Sequence, residues 1–443
     1  MFKKAAALGL AFALLAAPMF ADRDDAPRGI PRLDHVFLIM MENHGNQQIL
    51  NNPSEPYLNE LIASGKVNLA NNYFAVGHPS LTNYLEIVGA SNFGIRSDNS
   101  PAWHSTTCTP NLQSGLVNAD NNAGLATPPI SIEQTNICPI YGEGMDAETP
   151  AVDNWNEVTL PEFAFLADID GIKSVPAAHT VGKTIAEQLD RAGMSWKSYQ
   201  ESLPAGGADG VNNADGYYSN LVSFSGPLPN EAQTLIDLYA VKHNPFAYFR
   251  DIQEGNDRDS SLNNMVGFEG ARGLFENLAS GHVPNFSFIV PNQCNDQHGR
   301  TNAGPQCDFD PSSDGLQPGL NPALIYLGDL AIRNLVKAIH ASPAWQDGHN
   351  AIIIVWDEND YSGTPTLPDG AFPPQNTNKV VLTVDTNYGE HGVQSQKYYN
   401  SYSVLKSLES GFGLPCLNHA CDDNVKVMKD LFASDHDGDD GGN

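Results

Sequence analysis

The sequence predicts an α/β fold in which helices cover both faces of a mostly parallel central sheet. Strand and helix patterns alternate along the 443 residues, which is typical of consecutive βαβ units. The strand segments are continuously apolar, as expected for parallel strands that are buried on both faces. Polar clusters follow directly after three of these strands, where α/β sheets bind their ligands. These observations set the fold class and the place where a site is expected.

Local patterns predict the individual elements. Apolar runs bounded by polar residues predict strands at 36–41, 286–290 and 351–360, the last of which ends in acidic residues. Helical spacing, with start and stop residues such as Gly65 and Gly193, predicts helices at 55–64, 80–88, 184–193, 323–340 and 399–412. A further strand is expected between residue 193 and residue 201.

The N-terminus has the features of a secretory signal peptide, because Lys3 and Lys4 precede an apolar core and small residues that extend to Ala21. The chain is therefore divided into a signal peptide at 1–21, a domain at 22–433 and a disordered acidic tail at 434–443. Residues 94–175 are rich in Pro, Asn, Gly and Ser and predict an irregular, disulfide-held insertion. The apolar core of the signal peptide is too short for a good membrane span. We therefore expect a secreted or periplasmic protein without stable membrane insertion.

The six cysteines fit an oxidising compartment. They fall into three sequence-local pairs, which are Cys108 with Cys138, Cys294 with Cys307, and Cys416 with Cys421. Six cysteines allow many other pairings, so this arrangement is a preference and not a deduction.

A net charge of -29, from 52 acidic and 23 basic residues, argues against a broad basic face that binds nucleic acid. An anionic substrate must then be held by something local, such as a metal ion or a helix N-terminus. Most of the carboxylates are expected simply to keep an exported surface solvated.

Three polar clusters should converge at one sheet edge: Glu42 with Asn43, residues 292–298, and Asp357 with Glu358. Each cluster alone is explained equally well by turns and helix caps, and only the coincidence of all three favours a site. Their carboxylate and amide oxygens suit a hard divalent cation, and His298 or His391 would extend the choice to zinc or iron.

Ser80 follows a Gly-His-Pro segment at the start of a predicted helix. The simplest role for a serine there is a helix N-cap. The alternative is a nucleophile whose pKa is lowered by a metal, with the helix terminus holding a phosphoryl oxygen.

Seven motifs in order carry a family resemblance: MMENHG, GHPSLTNYLEIVGAS, TIAEQLDRAGMSWKSYQE, KHNPFAYF, FSFIVPNQCNDQHG, IIIVWDEND and YYNSYSVLKSLESGFGLPCLNHA. From about residue 33 to residue 420 the chain resembles the phosphoesterase family of secreted acid phosphatases and phospholipases C. That family belongs to the alkaline phosphatase-like superfamily, so the resemblance implies an α/β/α sandwich.

The resemblance also implies roles for individual residues. It makes Ser80 the nucleophile of a metal-dependent reaction on a phosphorylated small molecule, through a phosphoserine intermediate. The other implied positions are metal ligands at Glu42, Asn43, Asp357 and Glu358, leaving-group and phosphate contacts at Asp296 and His298, and substrate contacts at His78, Asn83 and, more weakly, His391.

The chain departs from the family pattern at three places. The family often reads Glu-Asn-x-Ser-Phe-Asp at the first motif, whereas this chain reads Glu42-Asn43-His44-Gly45-Asn46, so the Ser, Phe and Asp are lost; Thr82 stands where the family often has Pro. After the late strand, Asn359 and Asp360 replace the family's His-Gly-Gly, which places the chain nearer the acid phosphatases. A phospholipase C or phosphodiesterase, and a non-catalytic metal- or phosphate-binding protein, remain the alternatives.

Overall fold

The computed structural model describes residues 26–93, 95, 98, 140–141, 182–203, 210–211, 238–255, 260–270, 272–300, 305–307, 321–359 and 378–432. The predicted signal peptide, the acidic tail and nearly all of the predicted insertion lie outside these residues. Among the described residues, none of the helices has the length and apolar character needed to cross a membrane.

The main sheet has eight described strands. In chain order they are β1 (His35–Met41), β2 (Asn68–Ala70), β5 (Trp196–Gln200), β7 (Met265–Val266), β8 (Phe286–Val290), β9 (Asn350–Trp356), β10 (Leu382–Thr386) and β11 (Gln394–Ser395). Their order across the sheet is β11-β2-β10-β9-β1-β8-β5-β7. Strands β3 (Tyr73–Phe74) and β12 (Tyr399–Asn400) form one small sheet, and β4 (Ile140–Tyr141) and β6 (Gly210–Val211) form another.

The centre of the sheet is parallel, as the sequence predicts. Strand β1 pairs in parallel with β8 on one side and with β9 on the other. Strand β10 pairs antiparallel with both β9 and β2, so the sheet is mixed on that side. Strands β2, β10 and β11 are absent from the sequence-based prediction, which found only the longer apolar runs.

The described α-helices are α1 (Asn46–Ile49), α2 (Pro56–Ala63), α3 (Ser80–Gly89), α4 (Ile185–Arg191), α5 (Arg250–Glu254), α6 (Leu274–Ser280), α7 (Pro322–Ala341) and α8 (Ser401–Phe412). Helix α7 packs against α2 and α6, whereas α8 packs against α3. All seven residues of β9 are buried, so both faces of the sheet centre are covered. The architecture is an α/β/α sandwich with a mostly parallel sheet.

Local chemistry explains where the helices begin and end. Proline occupies the first turn of α2 and of α7, where its missing N–H costs nothing. The Thr184 hydroxyl accepts a hydrogen bond from Ala186 N at the start of α4. Helix α8 ends at Gly413, whose φ of 68° lies in the left-handed region.

Two of the three preferred disulfides are confirmed. Cys294 is bonded to Cys307, and Cys416 is bonded to Cys421. Cys108 and Cys138 lie outside the described residues.

Candidate active site

The candidate site lies where β1, β8 and β9 end together. Asp357 N donates to Met41 O at 2.9 Å, and Glu42 N donates to Asp296 O at 2.8 Å. These main-chain hydrogen bonds join the residues that follow the three parallel strands. The predicted convergence of the three polar clusters is therefore present in the fold.

Ser80 lies at the centre of this edge. It is the first residue of α3 and follows Pro79, so it is not the helix cap. Its hydroxyl donates to Glu42 Oε2 at 3.0 Å and lies 3.4 Å from Glu358 Oε1. Only 1% of the residue is exposed. The side chain thus faces the acidic cluster and does not serve the helix N–H groups.

The Asn83 amide holds the turn that leads into Ser80. Its Oδ1 accepts from Val76 N at 3.1 Å and from Gly77 N at 2.9 Å. Its Nδ2 donates to Gly77 O at 2.7 Å and to Glu358 Oε2 at 3.1 Å. Both amide hydrogens therefore have acceptors in the protein, and the contacts favour a positioning role over the phosphate contact that the resemblance implies.

His78 is close to the same carboxylate. Its Nδ1 lies 2.8 Å from Glu358 Oε2, and its side chain is 12% exposed. Glu358 thereby connects His78, Ser80 and Asn83 in one group.

Three carboxylates of the cluster are fully buried. Burial raises the pKa of Asp357 well above its usual value, and the charges of Glu42 and Glu358 raise it further. Burial likewise raises the pKa of Asp296, with Glu42 adding to the effect. Burial raises the pKa of Glu42 as well, although the positive charge of Lys242 partly offsets the increase. Each of these raised pKa values reflects the cost of holding a negative charge away from water.

His243 belongs to the site although the sequence reasoning did not select it. Its Nε2 lies 3.0 Å from Glu42 Oε1, and its Nδ1 lies 3.3 Å from Asp296 Oδ2. The ring is stacked on Tyr84, with centroids 5.2 Å apart and planes 8° from parallel. The only signal in the sequence was the KHNPFAYF motif, because His243 sits in a 3-10 turn, Val241–His243, and not at a strand end.

Lys242 is the second residue that the sequence reasoning missed. Its side chain is completely buried, and Nζ lies 3.1 Å from His298 Nε2 and 3.2 Å from Asp98 Oδ2. A charged ammonium only donates, so His298 accepts at Nε2 and carries its proton on Nδ1, which donates to Gly299 O at 2.8 Å. The other oxygen of Asp98 accepts from Leu81 N at 3.0 Å.

The first turn of α3 is only partly available to a phosphoryl oxygen. The Leu81 N–H is bonded to Asp98, and the Thr82 N–H is bonded to Pro79 O at 3.0 Å. Of the first three N–H groups of α3, only that of Ser80 is therefore left to hold a phosphoryl oxygen.

Two predicted residues are less closely connected to the cluster. Asn43 follows Glu42 and is half-buried, and its amide makes no hydrogen bond to the described part of the chain. His391 is exposed and follows β10, which runs antiparallel to β9 with Thr386 opposite Ala351. The chain therefore leaves β10 at the edge where β9 begins, opposite the site. This direction of β10 does not favour the predicted substrate contact of His391.

The donor set fits a divalent cation. Both Asp357 oxygens are buried without a side-chain donor among the described residues, and Asp296 Oδ2 is also buried without a hydrogen bond. Such uncompensated carboxylates are costly unless a cation or proton accompanies them. Ligand atoms of Glu42, His243 and His298 lie within 4.8 Å of one another, although His298 Nε2 already accepts from Lys242. Oxygen and imidazole ligands of this kind accept several metals, so the residues do not select one.

The chain is similar to known phosphatases over part of its length. An acid phosphatase from Aspergillus fumigatus is 27% identical over 254 residues, which cover 57% of this chain and 44% of the fungal protein. A phosphatidylinositol-3-phosphatase from Mycobacterium tuberculosis is 33% identical over 94 residues, which cover 21% of this chain and 30% of that protein. The chain thus spans less than half the length of these relatives.

A solved structure described as a protein in the alkaline phosphatase superfamily, from Vibrio parahaemolyticus, covers 89% of this chain and 70% of its own. It has 11% sequence identity and a TM-score of 0.43. The sequence profile of the Phosphoesterase family matches residues 48–306 and 321–415, which is most of the chain. The chain therefore belongs to the phosphoesterase family.

Proposed function

We propose that this chain is an exported, metal-dependent phosphoesterase that hydrolyses phosphate monoesters through a phosphoserine intermediate. The observation that carries the proposal is the Ser80 hydroxyl, buried between Glu42 Oε2 at 3.0 Å and Glu358 Oε1 at 3.4 Å. A buried hydroxyl in contact with two carboxylates is an arrangement that metal-assisted phosphoryl transfer needs and that a simple binding site does not.

In this proposal Glu42, Asn43, Asp357 and Glu358 hold the cation. The bound cation would favour the Ser80 alkoxide and balance charge on the phosphoryl oxygens. The Ser80 Oγ forms a bond to phosphorus as the bond to the leaving alcohol breaks, and water later cleaves the phosphoserine. The Ser80 N–H and His78 are the protein groups nearest to the nucleophile for orienting the phosphoryl group.

The leaving alcohol would depart on the side of Asp296 and His298. Its oxygen needs a proton, and His298 would supply it after taking one from Lys242 at Nε2, which lies 3.1 Å from Nζ. Asp296 Oδ1 accepts from His298 N at 2.7 Å, which fixes the main chain that carries the imidazole. In this proposal the acid catalyst lies beside Glu42, one of the carboxylates that would hold the cation.

The test is hydrolysis of p-nitrophenyl phosphate by the purified protein across pH, with Mg, Ca, Mn or Zn and after EDTA treatment. We expect EDTA to abolish turnover, and Ser80→Ala to lower it by a factor on the order of 10³ or more. Ser407→Ala is the matched control, since Ser407 is another fully buried helical serine, bonded to Ser403 O at 2.7 Å. Undiminished turnover in Ser80→Ala would refute the nucleophile.

Hydrolysis of bis-p-nitrophenyl phosphate, assayed in parallel, distinguishes a phosphomonoesterase from the second candidate function, a phosphodiesterase or phospholipase C. A phosphodiesterase or phospholipase C would hydrolyse the diester at least as well as the monoester. The match to a phosphatidylinositol-3-phosphatase is the reason to add a phosphoinositide monoester to the same assay. Tight metal binding without turnover of any of these substrates would instead favour a binding protein.

A further inference from the structure

Gln297 lies between Asp296 and His298 in the loop after β8 and has an unusual backbone. Its φ is 81°, in the left-handed region, although it is not a glycine. Residues other than Gly, Asn and Asp rarely adopt this backbone conformation, and they keep it only where the surrounding structure imposes it. The Gln297 side chain is fully buried, so the surroundings that impose the conformation can be identified.

The Gln297 side chain hydrogen-bonds within the protein through its amide oxygen and both amide hydrogens. Its Oε1 accepts from Trp356 Nε1 at 2.9 Å. Its Nε2 donates to Glu55 Oε2 at 2.6 Å and to Ile325 O at 3.0 Å. Its main-chain oxygen lies 3.1 Å from His44 Nε2. One residue therefore contacts the segments after β1 and β8, the end of β9, and the helices α2 and α7.

These partners immediately flank the cluster. Trp356 is the residue before Asp357, and His44 is two residues after Glu42. A change in the position of Gln297 would be passed to both carboxylates through main-chain segments of one or two residues. Catalytic groups tolerate displacements of only about 0.5 Å.

We propose that Gln297 is a positioning residue, which sets the spacing of the three strand-end segments that carry Glu42, Asp296 and Asp357. This inference rests on the proposed function of the same site. Gln297 does not touch the reacting atoms, and it acts through the residues that do.

Gly328 allows this proposal to be tested from outside the site. It lies in α7, and a Cβ there would come within 2.2 Å of Gln297 Cγ and 2.6 Å of its Nε2. Glycine in a helix interior is otherwise unfavourable relative to alanine. Gly328→Ala should therefore favour the helix while displacing Gln297. A loss of activity in this variant would then report the displacement of Gln297 and not a weakened helix.

The experiment measures kcat and KM for wild type, Gly328→Ala, Gln297→Ala and the double variant. We expect kcat to fall about 10- to 100-fold in each single variant, with KM changed much less. The double variant should lose no more than Gln297→Ala alone, because the added methyl group then occupies the space left by the glutamine. Gly411→Ala is the matched control, since its Cβ would instead crowd Leu33 Cδ1 at 2.5 Å.

A second readout is the NMR signal of the Trp356 indole N–H, which should move upfield in Gln297→Ala as the hydrogen bond to Oε1 is lost. Unchanged kcat in both single variants, or additive losses in the double variant, would overturn the proposal. Absence of turnover in the wild type would refute the proposed function instead. In that case an unchanged indole signal in Gln297→Ala would overturn the positioning role separately.

Discussion

Asp357 carries a charge that the protein alone does not compensate. Its carboxylate is buried beside Glu42 and Glu358, and its pKa is raised well above its usual value by burial and by those charges. Replacing it with a neutral side chain of the same shape removes the repulsion but also removes a proposed metal ligand. The same substitution should therefore change stability and activity in opposite directions.

We expect Asp357→Asn to raise the unfolding temperature of the metal-free protein. It should also weaken metal affinity at least about 100-fold, since loss of groups that only orient ligands already costs 10- to 100-fold. Differential scanning calorimetry and metal titration calorimetry measure the two effects. Asp385→Asn is the control, because Asp385 lies in β10 and is paired with His340 at 2.8 Å. Wild-type metal affinity in Asp357→Asn would remove Asp357 from the ligand set.

Glu409 is a buried carboxyl in α8 that lies apart from the acidic cluster. Burial raises its pKa well above 4.5, and a hydrogen bond from Gln188 Nε2 at 3.3 Å only partly offsets the increase. The folded protein keeps this proton at pH values where the unfolded chain has lost it. The contribution to stability is therefore complete below about pH 4.5 and is lost as the pH rises through the folded pKa.

Glu409→Gln keeps the shape of the side chain but removes its ionisable carboxyl group. We expect the free energy of unfolding of the variant, relative to wild type, to increase as the pH is raised from about 5 to about 8. Urea denaturation across this range measures the difference. Glu60→Gln, at an exposed position, should leave the difference nearly constant. A constant difference for Glu409→Gln as well would mean that Glu409 titrates normally.

Residues at strand ends could be found from the sequence, because an apolar run shows where a parallel strand stops. This placed Glu42 and Asp357 at one edge, and helical spacing placed Ser80 at the start of a helix. His243 and Lys242 could not be found in this way, since they reach the site through a 3-10 turn. The stacking of His243 on Tyr84 depends on packing between distant segments, which local spacing does not encode.

At the scale of elements, the turn at residues 76–79 leads into α3 and positions Ser80, the proposed nucleophile. Asn83 satisfies two N–H groups of that turn and connects it to Glu358. Buried N–H groups that lose their acceptor cost about 1–3 kcal/mol each. The turn is therefore held in place by one side chain from the helix that follows it.

Asn83→Leu should lower the free energy of unfolding by about 2–4 kcal/mol and also lower kcat at least about 10-fold. Asn350→Leu is the matched control. Asn350 is equally buried, and its Nδ2 donates to Ala344 O at 2.9 Å at the start of β9, on the opposite edge of the sheet. Asn350→Leu should lower the free energy of unfolding by a similar amount. It should leave kcat close to wild type when both variants are assayed well below their unfolding temperatures. Equal effects on kcat would show that Asn83 acts on stability alone.

The longer elements could be predicted and the short edge strands could not. The runs that became β1, β8 and β9 are five to seven buried residues long, and their continuous apolar character is clear. Strands β2 and β11 have three and two residues, and only their pairing across the sheet defines them. The direction of β10 is likewise a tertiary property. It decides that His391 lies at the edge opposite the site, which the sequence alone could not show.

At the scale of the whole molecule, the net charge of -29 opposes the approach of a phosphate monoester dianion. In the proposed mechanism, the cation and the N–H of Ser80 would attract the phosphoryl group only at short range. Salt screens the long-range repulsion, with a Debye length that shortens from about 30 Å at 0.01 M to about 8 Å at 0.15 M. We therefore expect kcat/KM to rise over this range of ionic strength while kcat stays nearly constant.

The measurement uses saturating metal, so that the salt dependence of metal binding does not contribute. Phosphocholine is the matched substrate, because its quaternary ammonium cancels one of the phosphate charges. Its kcat/KM should rise with a smaller slope than that of p-nitrophenyl phosphate, since the repulsion scales with the substrate's net charge. If kcat/KM for the dianion falls with salt, local positive charge from groups such as Lys242 must outweigh the acidic surface along the approach path. The sign of the slope thus decides whether the field of the whole molecule or the field of the site governs substrate capture.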